Sequence, residues 1–245
     1  ALSETAVLYR TNAQSRVIEE SLLHFGIPYT LIGGVNFYER KEIKDIMSYL
    51  RLILNPADTV AQNRIEKIGK RKALLFADLQ KQKTSELLTA DILEKVLTQT
   101  LYLEQFNAED EEDRMRMENI KELRSVALQF PSLPLFLENV ALVEAAYKPR
   151  KFADQTEAVT LMTLHAAKGL EFNHVFMIGM EEGLFPHSRS LMDSEALEEE
   201  RRLCYVGITR AKNDLFLTYT RSRMYFGTRN SNVISRFLTE IPEQL

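Results

Sequence analysis

Thr5-Ala6-Val7-Leu8-Tyr9 is a short continuous apolar run that ends at the polar Arg10-Thr11-Asn12. A run of this kind fits a strand buried on both faces, the setting of a sheet with helices above and below it. The residues that follow keep to that plan. Thr11 or Asn12 can cap a helix, Val17, Ile18, Leu22 and Phe25 recur at helical spacing, Gly26 supplies the stop, and 29–32 reads as a second strand. Strand character returns at 158–163, 175–178 and 215–219. A helix is expected over 193–212, with an acidic front (Glu195, Glu198, Glu199, Glu200) and a basic end (Arg210, Lys212), the order that the helix dipole favours. A last short helix is expected over 233–238.

Between these parts the character changes. A helix over 42–54, with Ile43, Ile46, Met47, Leu50 and Ile53 on one side, stops at Asn55-Pro56. From 57 to 149 no strand pattern occurs, and 74–79, 87–97, 115–128 and 133–145 are amphipathic helix patterns. The expected fold class is therefore α/β: a parallel sheet flanked by helices, assembled from 1–55 and 151–245 and interrupted by an all-helical insert over 56–150, too long for an ordinary loop.

Composition narrows the function. With 45% hydrophobic and 27% charged residues in 245, the chain has the make-up of a folded globular protein, and no apolar run approaches the about 18 residues of a membrane span. Cys204 is the single cysteine, which excludes an internal disulfide and a thiolate metal cluster and fits a reducing compartment, so a cytoplasmic location is expected. His24, His165, His174 and His187 lack metal-ligand spacing, and no bound metal is expected on this chain. Ala1-Leu2-Ser3-Glu4 runs directly into the first strand pattern without a basic flank, an apolar stretch and a small-residue cleavage site, and the chain reads as a fragment or a natural truncation.

Net charge is −4 from 31 basic and 35 acidic residues, which permits only a local basic surface for nucleic acid. That surface is placed by the distribution. Residues 104–123 hold eight acids and three bases (−5), whereas 201–236 hold eight bases and one acid, Asp214 (+7). Either segment is equally compatible with a plain solvated helix face.

No phosphate-binding G-x-x-x-x-G-K-[ST] loop, G-x-G-x-x-G, H-E-x-x-H, G-x-S-x-G or C-x-x-C occurs, so nothing marks the chain as a catalyst on its own. Two strings nevertheless join apolar strands to polar residues. Thr163-Leu164-His165-Ala166-Ala167-Lys168-Gly169-Leu170-Glu171-Phe172 lies between two strands, where ligands collect in open α/β sheets. The second string, 199–212, places Arg210 just past Gly207, near the expected end of a helix.

These strings resemble motifs V and VI of the superfamily 1 DNA helicases of the UvrD, PcrA and Rep type. The stretches 9–16, 33–45 and Glu181-Glu182-Gly183-Leu184-Phe185-Pro186-His187 resemble further parts of the same family, in the same order. The resemblance implies a second RecA-like domain with a helical accessory insertion. In the family, two such domains hold ATP and Mg2+ between them and move 3′ to 5′ along single-stranded DNA. The phosphate loop and the magnesium ligands belong to the first domain and are absent from this sequence.

By that resemblance Arg210 is the trans-acting arginine that reaches the γ-phosphate, where a guanidinium neutralises developing charge. The plain alternative is a helix-end arginine satisfying terminal carbonyls. Glu171 corresponds to the carboxylate that accepts from the nucleotide ribose, the alternative being a surface acid paired with Lys168. Arg10, Asn12, Thr163, His165 and His187 correspond to residues lining the single-strand path, and Phe226, among Arg221, Arg223 and Arg229, to a base-stacking aromatic. The alternatives are buried polar groups at strand ends and a core phenylalanine.

Departures are Asn36, where the family often has lysine, and a helical insert shorter than usual. The glycine-rich hairpin near the insert's start is reduced to 65–72, which reads as a helix-to-helix turn with a solvated basic face or as a contact for duplex phosphates. The implied partners are single-stranded DNA, the N-terminal RecA-like half in cis or in trans, and DNA-repair or replication proteins. A non-enzymatic module that binds single strands or a repair protein is the alternative function.

Overall fold

The computed structural model describes residues 1–84, 86–147, 157–225 and 228–242. Phe226 lies outside the described residues. The chain divides into two compact units, one of Ala1–Asn36, Pro149–Arg223 and Arg229–Leu245, the other of Phe37–Lys148 and Met224–Thr228.

The first unit is built on β1 (Thr5–Tyr9), β2 (Tyr29–Ile32), β3 (Val159–Thr163), β4 (Phe172–Ile178) and β5 (Ala211–Thr218), in the order β2-β3-β1-β4-β5. Every pairing is parallel. Both faces are covered. Ala6, Leu8, Met162, Val175 and Met177 form one core with Cys204 of α8 (Ser194–Ile208) and Phe237 of α9 (Arg236–Thr239). On the opposite face Tyr9, Val159 and Leu161 pack with Ile18 and Leu22 of α1 (Ser15–His24). Neighbours Leu8 and Tyr9 thus serve opposite layers, as the pleat requires.

The expected helix over 193–212 is shorter in the structure. Asp193 caps it by accepting from the amides of Glu195 and Ala196 at 2.9 and 3.1 Å, and it ends at Thr209, so Lys212 lies in β5 instead of in the last helical turn. Gly207 sets how close α8 comes to the sheet. A Cβ there would lie 2.5 Å from Leu164 Cδ2 and 2.9 Å from Met177 Sδ and Cε, inside van der Waals contact.

The second unit is helical: α2 (Lys41–Leu54), α3 (Thr59–Ile68), α4 (Lys70–Gln80), α5 (Thr89–Gln99), α6 (Glu111–Ala127) and α7 (Leu133–Tyr147). Its core runs through α2, whose Ile43, Ile46, Met47 and Leu50 are packed with Ile65, Phe76, Leu93, Val96, Leu123 and Phe136. For that reason the unit begins at Phe37, ahead of α2, and not at the Asn55-Pro56 stop where the sequence pattern places the boundary. Inside this core Asp45 is buried and accepts from Tyr102 Oη at 2.9 Å and Arg64 Nε at 2.6 Å. Burial, reinforced by Asp45, pushes the Tyr102 phenol above its ordinary range. The 65–72 segment is the end of α3, Gly69 and the start of α4, a turn between helices with Lys67 and Lys70 beside it.

Among the described residues no helix is long and apolar enough to cross a membrane, and no group of three or more His, Cys, Asp or Glu side chains is placed to hold a metal ion.

Candidate functional site

The parallel registers place residues that are far apart in sequence along two opposite edges of the sheet. Tyr9 is level with Thr163 and Leu8 with Met177, so the segments leaving β1, β3 and β4 emerge side by side. The chain passes from β1 to β2 on one side and from β4 to β5 on the other, which makes the gap between β1 and β4 the switch point of the topology, where ligands bind in open α/β sheets. Arg10, Asn12, Thr163, His165 and His187 all lie in these three segments.

Their side chains are held to different degrees. Arg10 grips Glu200 of α8: Nε donates to both carboxylate oxygens at 2.9 and 3.0 Å and Nη2 donates to Oε1 at 2.6 Å. Glu200 Oε2 also accepts the main-chain amide of His187 at 3.1 Å. Gln14 Oε1 accepts the amides of Arg10 and Thr11 at 2.9 and 2.8 Å, which fixes the chain as it leaves β1. Asn12 opens the next turn and is half-buried. Thr163 Oγ1 accepts from the Ala166 amide at 3.3 Å, and His165 is exposed.

The segment after β4 is pinned by two neighbouring acids. Glu181 is buried and accepts from the Thr220 amide and hydroxyl at 2.9 and 3.0 Å. Glu182 accepts from Arg236 through its amide (2.8 Å), Nε (3.1 Å) and Nη2 (2.8 Å). Partial burial pushes the Glu182 carboxyl upward, but the Arg236 bonds outweigh it and hold the group below the usual carboxylate range. Gly179 turns the chain at φ +72°, and a Cβ there would lie 2.5 Å from Gln14 Nε2.

Arg210 and Glu171 occupy the other edge. They precede β5 and β4, and the Phe172 amide donates to the Arg210 carbonyl at 2.9 Å, so the two residues are neighbours across adjacent strands. The Arg210 guanidinium donates to Val206 O at 2.9 Å, Leu170 O at 3.0 Å and Thr209 Oγ1 at 3.0 Å. Three of its five N–H groups are used, and the other two have no acceptor among the described residues. Glu171 pairs with Lys212 at 3.3 Å, where sequence reasoning offered Lys168. Both members of that pair are more than half exposed.

The predicted residues that are described therefore lie in two groups, Arg10, Asn12, Thr163, His165 and His187 at the carboxyl edge of the sheet and Glu171 and Arg210 at the amino edge. The seven residues of β4 put about 20 Å between the edges at ~3.3 Å per residue. Sequence reasoning missed Glu200, although Glu200, Cys204 and Gly207 recur on one helical face and all three are buried. It also missed Gln14, three residues from the candidate cap Thr11. Cys204 is no reactive thiol, since burial pushes it up to about 11.

A sequence model for the UvrD-like helicase C-terminal domain matches residues 1–95 and 72–222. The chain belongs to the UvrD-like helicase C-terminal domain family. Among the relatives of this UvrD-like chain, the ATP-dependent DNA helicase PcrA of Bacillus subtilis is 42% identical over 296 aligned positions, covering 100% of the chain and 40% of that protein. The PcrA proteins of Staphylococcus epidermidis and Staphylococcus aureus are 41% and 42% identical, each over 99% of the chain and 40% of the relative. The chain thus spans two fifths of the length of these curated relatives. The 296 aligned positions exceed the 245 residues of the chain by 51, and the two family matches overlap at 72–95, within the helical unit of this UvrD-like domain.

Proposed function

We propose that this chain is the C-terminal motor portion of an ATP-dependent 3′–5′ DNA helicase or translocase. Its carboxyl edge takes single-stranded DNA, and its amino edge takes the phosphates and ribose of a nucleotide held by an N-terminal RecA-like half. The observation that carries this reading is the separation of the two residue groups to opposite edges of one sheet. One group is rich in donors suited to a sugar-phosphate backbone, and the other pairs a surface guanidinium with a surface carboxylate.

The amino-edge residues fit a nucleotide in chemistry. Arg210 keeps two N–H groups for phosphate oxygens while its other three tie the guanidinium to Val206, Leu170 and Thr209, so its direction is fixed before any ligand arrives. Glu171 offers acceptor oxygens to ribose hydroxyls and needs only to exchange its exposed contact with Lys212. ATP, when bound, supplies the phosphoryl group that passes to water, with Mg2+ ligands coming from the other half. The role of this chain is to neutralise charge on the transferring group and to orient the sugar. The helical unit and any repair or replication protein that it meets stand outside this chemistry.

The deciding experiment joins the chain to its N-terminal half and measures DNA-stimulated phosphate release with and without Arg210→Ala. A loss of about 10³-fold or more is expected for a trans-acting arginine. Undiminished hydrolysis would reject the role of Arg210, and absence of DNA-stimulated hydrolysis by the unaltered joined protein would favour a non-enzymatic module that binds single strands.

A further inference from the structure

We infer that Glu200 is the positioning residue of the single-strand edge: it fixes which side of the Arg10 guanidinium faces the DNA and ties the His187 segment to the same point. The inference rests on the reading of that edge as a DNA path and assigns to α8 a part in it.

Glu200 lies on the buried side of α8 and its side chain is 6% exposed. A carboxylate taken out of water needs its lone pairs filled by strong donors. Here Oε1 and Oε2 are filled by Nε and Nη2 of Arg10, and Oε2 also by the amide of His187. One carboxylate thereby joins the end of β1, the segment after β4 and the middle of α8. The guanidinium is planar, so committing its Nε and Nη2 side to Glu200 turns Nη1 the other way. Nη1 has no acceptor among the described residues, and the Arg10 side chain retains 19% exposure. Arg10 is therefore neither a loose surface cation nor fully consumed by its ion pair. It is a rigid group with three N–H donors left, two on Nη1 and one on Nη2, aimed by Glu200.

Charge separates this role from its rivals. The pair carries no net charge, so Arg10 contributes to DNA binding through direction more than through long-range attraction. Removing the Glu200 charge adds +1 to the edge, which by electrostatics alone tightens binding to a polyanion. Loss of positioning has the opposite sign.

The test is the affinity of the 245-residue chain for a fluorescent oligo-dT at low salt, read by anisotropy, with thermal melting recorded on the same samples. Glu200→Gln is expected to weaken binding roughly tenfold, the scale of one charge-assisted hydrogen bond. The Arg10→Gln/Glu200→Gln double variant is expected to bind no more weakly than Arg10→Gln alone, because the two residues act as a unit. Equal or tighter binding by Glu200→Gln overturns the proposal. If Glu200→Gln does not fold, Arg10→Lys decides: it keeps the charge and an ion pair but lacks the fork, so weakened binding supports positioning and unchanged binding overturns it. Failure of the unaltered chain to bind oligo-dT overturns the DNA-path reading itself, and the proposal with it.

Discussion

The amide of Phe172 donates to the carbonyl of Arg210 at 2.9 Å, so the start of β4 is stitched to the residue just ahead of β5 by a main-chain bond that no substitution at 210 removes. Structure and chemistry are separable at this position. Arg210→Lys keeps the charge but cannot reproduce three bonds in fixed directions. The joined motor is expected to lose most of its hydrolysis with lysine as it does with alanine, while urea unfolding of the chain shifts by only about 1 kcal/mol. Near-normal turnover with lysine would mean that charge alone is required.

Gly207→Ala adds one methyl group into Leu164 and Met177. Overpacking of this kind costs about 1–3 kcal/mol. Gly34→Ala serves as the control, because a Cβ there meets nothing within 4 Å. The melting midpoint should fall for the first and hold for the second, and equal midpoints would contradict the close approach of α8.

The Glu182–Arg236 pair gives a pH dependence of known sign. The carboxyl is harder to protonate in the folded chain than its ordinary value of 4.5, so its contribution is complete above that value and fades as pH falls through the lower folded one. Denaturation curves collected through this acid range should show wild type losing more stability than Glu182→Gln. Parallel losses would remove the pair from the acid response.

Binding of oligo-dT by the chain should be weak and should drop steeply with added salt, since it depends on a few cationic contacts on a protein of net charge −4. Phe226→Ala should lower affinity equally for oligo-dT and mixed sequences, as stacking reads no base edge, by about 1–3 kcal/mol. A change in base preference, or no change in affinity, would take Phe226 out of the path.

Much of this was legible in the residues because buried parallel strands and amphipathic helices carry strong local patterns. The five strands of the sheet and α2 were readable from apolar runs and helical spacing, and the pairing of the motif strings with a family fixed the fold. Three features were not readable. The compact helical unit begins at Phe37 because α2 is buried among its partners, and a stop signal at Asn55-Pro56 reports where a helix ends and not which core it joins. The helix α3 was hidden in a polar stretch with only Ala61 and Ile65 buried. Glu200 was concealed in a run of acids, and the packing of α8 that brings it to Arg10, 190 residues away in sequence, is a long-range fact that no local pattern encodes.

The fifteen residues of α8 make a stiff rod of about 22 Å at ~1.5 Å per residue. Midway along it, Glu200 is clamped to the end of β1, and its last turn is clamped by the Arg210 guanidinium through Val206. A rod held at two places cannot rock at one without rocking at the other. On the proposed reading, a ligand at either rim that prefers one tilt of this rod biases the opposite rim by the same factor, a coupling by leverage.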